Sequence, residues 1–344
     1  VKNCRALAVT ACLFLSLALG LAPFHQAATI AREKGSTAAG VNAVDPLPSW
    51  SAGKTKERIV KFVKDITDPS AKTFVPVADR IATFDNDGTI LCEKPTYSEA
   101  IYSHDRARQV QDKHPEWANN PNVQKFLNST IDGLAEIGAS VSIMTNAESN
   151  AGLTEEDMHE AATKWLDSAK HPRFDVLYKK LYYPPMIELL NYLKANDFKV
   201  YLCSGGQTYF MRCYAQEEYG IAPPEIMGSS LELEYMLKNG RSEIEAKPKI
   251  QCFNVGNNKP ISISQHIGKR PVIACGNSDG DLQMLTYAGD RKGPSLSILV
   301  HHDDSKREYS YDKGAEKVLP LAADKEWLVV SMKDDFKKVF SFDK

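Results

Sequence analysis

Two carboxylates, Asp85 and Asp87, stand two residues apart directly after the apolar run Arg80-Ile81-Ala82-Thr83-Phe84 and directly before Gly88-Thr89. The run reads as a short strand, and side-chain alternation along an extended chain points both acids the same way. Gly88 allows a sharp turn there and leaves main-chain amides able to meet an anion. A strand that delivers paired acids onto a glycine turn suits a metal-assisted carboxylate nucleophile, whereas an Asp-Gly pair alone would read as a solvated turn. The rest of the chain decides between the two.

Three further strand-like runs, Lys199–Cys203, Pro271–Cys275 and Ser295–Val300, alternate with helical patterns. That alternation predicts an α/β fold, a doubly wound parallel sheet, in which ligands bind outside the carboxyl ends of the strands. Ser204-Gly205-Gly206-Gln207 follows the first run and Gly276-Asn277-Ser278-Asp279-Gly280-Asp281 the second, so both segments belong at the same edge as Asp85 and Asp87. The interval between Asp87 and Ser204 far exceeds an ordinary loop of about 4 to 6 residues, which requires an inserted domain. Helical patterns dominate it. Thr154-Glu155-Glu156-Asp157 reads as a capping box ahead of Met158, Ala161, Ala162, Trp165 and Leu166, while Val141–Met144 fits a strand or a buried helix equally. Elsewhere, Lys54–Ile66 carries apolar residues at helical spacing before Asp68-Pro69, Trp327–Val330 reads as a strand and Asp334–Phe340 as a closing helix.

With 43% hydrophobic and 25% charged residues in 344, the chain is of ordinary globular composition with ample core. A net charge of −2 gives no electrostatic footprint for nucleic acid and favours a small-molecule partner. Lys2 and Arg5 precede an apolar run from Ala6 to Ala22, then Pro23 and the small residues Ala27-Ala28, the layout of a signal peptide over 1–28 with a linker over 29–50. The expected product is exported, periplasmic or secreted, with no stable membrane span after signal cleavage. Cys92, Cys203, Cys213, Cys252 and Cys275 would then face an oxidising compartment. Cys203 and Cys275, on strands flanking the one before Asp85, would be two spacings of about 4.8 Å apart, beyond the disulfide reach of about 7 Å, and read as buried hydrophobes. No cysteine–histidine cluster of zinc spacing occurs.

These residues resemble the haloacid dehalogenase superfamily of aspartate-nucleophile hydrolases, and within it the phosphoserine-phosphatase-like branch. Four motifs match in order: Asp85-Asn86-Asp87-Gly88-Thr89; Ser204 in Cys203-Ser204-Gly205-Gly206; Lys259 in Asn258-Lys259-Pro260; and Gly276 through Leu285. The resemblance implies a Rossmann-like core over 51–92 and 193–344, with a mainly helical cap over 93–192. It implies Asp85 as nucleophile, Asp87 as acid and then base, Ser204 as a phosphoryl hydrogen-bonding group and Lys259 as the cation that offsets accumulating negative charge. Amides after Asp85, including those of Gly88 and Thr89, would cradle phosphate together with Gly205. Asp85, Asp87, Asn277 and Asp281 would hold Mg²⁺; Asn277 stands where the family usually has Asp, and Asp279 is a possible substitute. Glu93 is one residue out of register with a substrate-facing glutamate of related enzymes, and reads equally as structural. Arg106, Arg108, His171 and Arg173 are basic candidates for substrate contact in the insert, although surface or hinge places suit them better.

Members that cleave carbon–halogen bonds or act as transport ATPases lack an acid at the Asp87 position. The resemblance therefore implies an exported, Mg²⁺-dependent phosphatase of small organic phosphomonoesters, acting through an aspartyl-phosphate. Asn277 favours one alternative, a non-catalytic phospholigand-binding or storage protein that retains the fold.

Overall fold

The structure is a computed structural model that describes residues 45–343. The expected signal peptide and residues 29–44 of the expected linker lie outside the described residues. The remaining end of that linker is not loose chain: Leu47 and Trp50 are buried, the Trp50 indole donates to the Pro185 carbonyl (2.8 Å), and its ring packs edge-on against Phe336.

Helix α1 (Lys54–Thr67) buries Ile59, Val63 and Ile66, one stripe at i, i+4 and i+7. Strand β1 (Ile81–Phe84) is buried at every position, as a strand covered on both faces must be. The insert then supplies α2 (Ser98–Val110), α3 (Pro121–Leu127), α4 (Ile131–Leu134), α5 (Ala139–Ser149) and α6 (Glu155–Leu166). The ambiguous Val141–Met144 segment is therefore helix, and the capping box at Thr154 is formed, with its hydroxyl accepting from the Asp157 amide (3.1 Å). Ile101, Val110, Trp117, Val123, Phe126, Leu127 and Leu134 make a small apolar core of the insert's own. Helix α7 (Pro184–Ala195) crosses position 192, and its Met186, Leu189, Leu190 and Leu193 join the main core instead.

Strand β2 (Lys199–Gln207) is followed by α8 (Thr208–Arg212), α9 (Ala215–Tyr219), β3 (Ile226–Lys238) and β4 (Arg241–Cys252). The chain continues through α10 (Asn258–His266), β5 (Ile273–Gly276), α11 (Leu282–Gly289), β6 (Leu296–His301), α12 (Val318–Asp324), β7 (Leu328–Ser331) and α13 (Met332–Asp335). The sheet order is β4-β3-β2-β1-β5-β6-β7, parallel except that β4 runs antiparallel to β3. This is the expected Rossmann-like core with one addition, the β3–β4 hairpin. Its turn is Asn239-Gly240, both at positive φ (52° and 78°), as the tightest hairpin turns demand.

Two expectations about where elements end need correction. The closing helix expected over Asp334–Phe340 is only the four-residue α13, because the Arg307 guanidinium binds the carbonyls of Met332, Lys333 and Phe336 that a longer helix would use internally. Strand β2 does not stop at Cys203 but continues to Gln207 through a register shift against β3. That shift brings the chains so close that a Cβ on Gly228 would lie 2.4 Å from the Gly206 carbonyl oxygen.

Register places the site. Phe84 lies level with Leu202 on one side and Cys275 on the other, so Asp85 and Asn277, just past the ends of β1 and β5, stand beside Ser204 of β2 at one edge. Cys203 and Cys275 flank β1 as expected, and all five described cysteines are free. No helix among the described residues is long and apolar enough to cross a membrane.

Candidate active site

The loop after β1 is wound tightly around one acceptor. The Asn86 carbonyl takes the amides of Thr89 (3.1 Å), Ile90 (2.7 Å) and Leu91 (3.0 Å), while the Gly88 amide donates to the Leu91 carbonyl (2.7 Å). Gly88 sits at φ 76°, where a Cβ would overlap the Asn277 side chain at 2.0 Å, so only glycine suits the position. The amides of Gly88 and Thr89, assigned from sequence to a phosphate cradle, are thus spent within the loop. The Thr89 hydroxyl instead donates to Asn277 Oδ1 (3.2 Å) and ties the first motif to the fourth.

Lys259, on α10, is buried and donates to Asp85 Oδ1 (2.8 Å) and to Asp281 Oδ1. Burial works against its charge, but Asp281 and Asp85 outweigh that and hold the ammonium above its ordinary range. The other Asp281 oxygen accepts from the amides of Asn277 (3.0 Å) and Ser278 (3.1 Å). Asp281, expected among the metal ligands, therefore fixes the lysine and the fourth-motif loop with both its oxygens. Asp279, the possible substitute, accepts from the amides of Lys317 (2.9 Å) and Val318 (2.8 Å) at the start of α12.

Burial, helped by the nearby Asp281 charge and opposed by Lys259, pushes the Asp85 carboxyl up to about 7. Burial and the Asp85 charge push Asp87 well above the usual carboxylate range. Glu99 rises to about 7 through burial, opposed by the Gln207 amide that donates to it (2.8 Å).

Several positioning groups carry no motif and escape a reading of the sequence. Asn254 is fully buried; its Nδ2 donates to the Ser204 carbonyl (3.0 Å) and its Oδ1 accepts from Ser262 on α10 (2.8 Å), so one side chain connects the strand bearing Ser204 with the helix bearing Lys259. Behind the first motif, His302 Nε2 lies 2.8 Å from the Gly88 carbonyl and Nδ1 lies 3.2 Å from Glu308 Oε2. Glu308 is itself fully buried and accepts from Tyr183 (3.2 Å), Cys92 (3.2 Å) and the Tyr309 amide (2.6 Å). A carbonyl and a carboxylate both require a donor, so His302 must donate from both ring nitrogens. Burial disfavours that charge, yet the Glu308 contact outweighs it and raises the His302 pKa. The insert is fastened to the same strand end: Asn146 Oδ1 on α5 accepts from Gln207 Nε2 (2.7 Å) and from the Tyr209 hydroxyl (3.0 Å).

A cavity of about 470 Å³ opens above this edge. Asp85, Asp87, Ser204, Lys259 and Asn277 line its floor, with Gly205 and Glu93 beside them. Glu93 is buried, takes the Tyr311 hydroxyl (2.7 Å) and lies 3.5 Å from Lys94 Nζ. Insert side chains form the opposite wall, including Phe126, Leu134, Ile137 and Ile143. Arg106, Arg108, His171 and Arg173 are not among the lining residues. Arg106 faces the Ser149 carbonyl, His171 the Lys94 carbonyl, and Arg173 the Glu308, Ser305 and Lys306 carbonyls. Among the described residues no three His, Cys, Asp or Glu side chains gather as a metal cage, so any metal here would use main-chain and amide oxygens as well.

Comparison with known proteins places the fold and the family. A conserved, functionally unknown protein from Anaerococcus prevotii DSM 20548 shares the fold at TM-score 0.53 and 13% identity, over 84% of this chain and 96% of that one. A phosphoserine phosphohydrolase-like protein from Francisella tularensis subsp. tularensis SCHU S4 aligns at TM-score 0.40 and 17% identity, over 73% and 94% of the respective chains. None of the curated proteins matches. The family model of haloacid dehalogenase-like hydrolases matches residues 82–286, from within β1 through the fourth motif, and the chain belongs to that family.

Proposed function

We propose that this protein is an exported, Mg²⁺-dependent phosphatase of small organic phosphomonoesters, working through an aspartyl-phosphate on Asp85. The observation that carries the reading is the buried Lys259–Asp85 contact on a cavity floor shared with Asp87, Ser204 and Asn277. Asp85 attacks phosphorus as the ester P–O bond breaks, and the leaving oxygen takes a proton from Asp87. Asp87 then removes a proton from water, whose oxygen bonds to phosphorus as the Asp85 O–P bond breaks; inorganic phosphate leaves and Asp87 is protonated again. Lys259 stabilises negative charge on the nucleophile and the transferring group, and Ser204 donates to a phosphoryl oxygen. The helical insert serves as the cap that encloses the reaction. Export rests on the sequence of residues 1–28.

The donor set fits the metal. The Asp85 carboxylate, the Asp87 carbonyl and the Asn277 amide oxygen are hard oxygen ligands of the kind Mg²⁺ takes. Asp85 shares one buried cation, Lys259, with Asp281, and the neighbouring Asp87 has no cation paired with it among the described residues, so a divalent ion would relieve a local excess of negative charge. When bound, Mg²⁺ neutralises charge between nucleophile and phosphate and holds them in line.

The test is turnover of p-nitrophenyl phosphate with and without Mg²⁺ by the wild type and Asp85→Asn. Activity that requires the metal and vanishes with the substitution is expected. Activity that survives Asp85→Asn would overturn the mechanism.

A further inference from the structure

We infer that the cavity selects phosphomonoesters whose alcohol portion is apolar and carries no second anionic group, a substrate class that deepens the phosphatase reading and rests on it for the position of the phosphate. The cavity has two unlike halves. Its floor holds the charged residues of the four motifs, while the facing wall presents Phe126, Leu134, Ile137 and Ile143, with Ala135 and Ala139 between them. Phe253 and Val255, just beyond the β3–β4 hairpin, extend the apolar surface on the core side.

Each lining cation already has a partner within the protein. Lys259 is held between Asp85 and Asp281. Lys94 lies over the Tyr311 ring at 4.1 Å and beside Glu93, and Lys313 pairs with Glu136 at 3.2 Å. His301 is bonded to Asp312 at 2.8 Å, and His302 lies between Gly88 and Glu308. The insert arginines turn to main-chain carbonyls, as described above, or, for Arg108, to the exposed surface. A carboxylate or second phosphate on the alcohol portion would lose water in this lobe and meet only cations that already have a partner.

The lining carboxylates Glu93 and Glu99, bonded to Tyr311 and to the Gln207 amide through one oxygen each, add to the acids of the floor and further disfavour an anion in the cavity. An alkyl or aryl chain loses nothing polar there and gains by covering the wall. Each methylene buried contributes about 0.8 kcal/mol, or about fourfold in affinity.

Non-hydrolysable phosphonates separate this selectivity from catalysis. Calorimetric titration of the full chain in Mg²⁺ buffer with ethyl-, butyl- and hexylphosphonate should show affinity rising about fourfold per methylene until the cavity is filled. Phosphonoacetate, of similar size but with a carboxylate on its organic portion, should bind more weakly than butylphosphonate. Ala139→Asp, at an exposed first-turn position of α5 where Asp suits the helix, should remove at least half of the chain-length gain. Affinity independent of chain length, tighter binding of phosphonoacetate than of butylphosphonate, or an undiminished gain in Ala139→Asp would each overturn the proposal. Phosphate release from hexyl phosphate is measured alongside. The expected phosphonate series without any ester cleavage would sink the phosphatase reading and leave the apolar lobe standing; cleavage without a chain-length effect would do the reverse.

Discussion

Replacing Glu308 by Gln removes one negative charge from a fully buried site and should cost far more than its small change in shape suggests. In the native chain the Glu308 carboxylate receives four donors: His302, Tyr183, Cys92 and the Tyr309 amide. Glutamine offers one acceptor oxygen and turns two N–H groups toward a cluster that already donates. His302 loses its partner at the same time, and breaking a buried pair in this way costs about 3–5 kcal/mol. At roughly 2 °C per kcal/mol for a chain of this size, the midpoint of thermal unfolding should fall by about 6–10 °C.

The effect has a pH signature with a definite sign. The folded-state pKa of His302 is raised, so the stability drawn from its charged form is fully present below its unfolded value of about 6.5 and is lost as pH rises through the folded value. Urea unfolding followed by circular dichroism at pH 6 and pH 9.5 should therefore give a larger wild-type minus Glu308→Gln difference at pH 6. A loss below about 1 kcal/mol at pH 6, or an equal difference at both pH values, would refute the assignment of His302 as a double donor.

Lys259→Met should lower kcat by about 10²–10³-fold with a smaller change in KM, because charge on the transferring group grows in the transition state; steady-state kinetics in saturating Mg²⁺ checks this. Asn254→Ala leaves the Ser204 carbonyl and the Ser262 hydroxyl without their partner, and should destabilise by about 1–3 kcal/mol in urea titration. Asn277→Asp adds a charge where the proposed metal would sit and should lower the Mg²⁺ concentration for half-maximal activity by about tenfold; an unchanged requirement would remove Asn277 from the ligand set.

Features written locally in the chain were legible before the structure. The apolar run into Asp85, the helix over Lys54–Ile66 and the capping box at Thr154 each depend on residues within a few positions of one another, and each forms. The β3–β4 hairpin was overlooked although its signal is also local: Asn239-Gly240 between Leu233, Tyr235 and Leu237 on one side and alternating charges on the other. The fate of Asp281 was not legible. Its spacing from Gly276 fits a ligand, but which acceptor the Asn277 and Ser278 amides would choose is settled only by how the loop closes. His302 and Glu308 lie far along the chain from Gly88, in a stretch with no motif, so their service to the first-motif loop exists only through tertiary packing.

The polar contacts between the insert and the end of β2 set a rest position for the cavity. To swing α5 and α2 away from the sheet, the chain would have to break the Gln207 and Tyr209 bonds to Asn146 and the Gln207 amide bond to Glu99. At about 1 kcal/mol each, these three bonds amount to about 3 kcal/mol, and the Asn150–Tyr209 bond and the packing of Ala147 with Leu231 and Ala246 add to them, which keeps a fully opened form below about 1% of molecules. A molecule that reaches the acids does so chiefly through the existing mouth or waits for a rare opening. On the phosphatase reading, a substrate therefore has to fit the cavity largely as it stands.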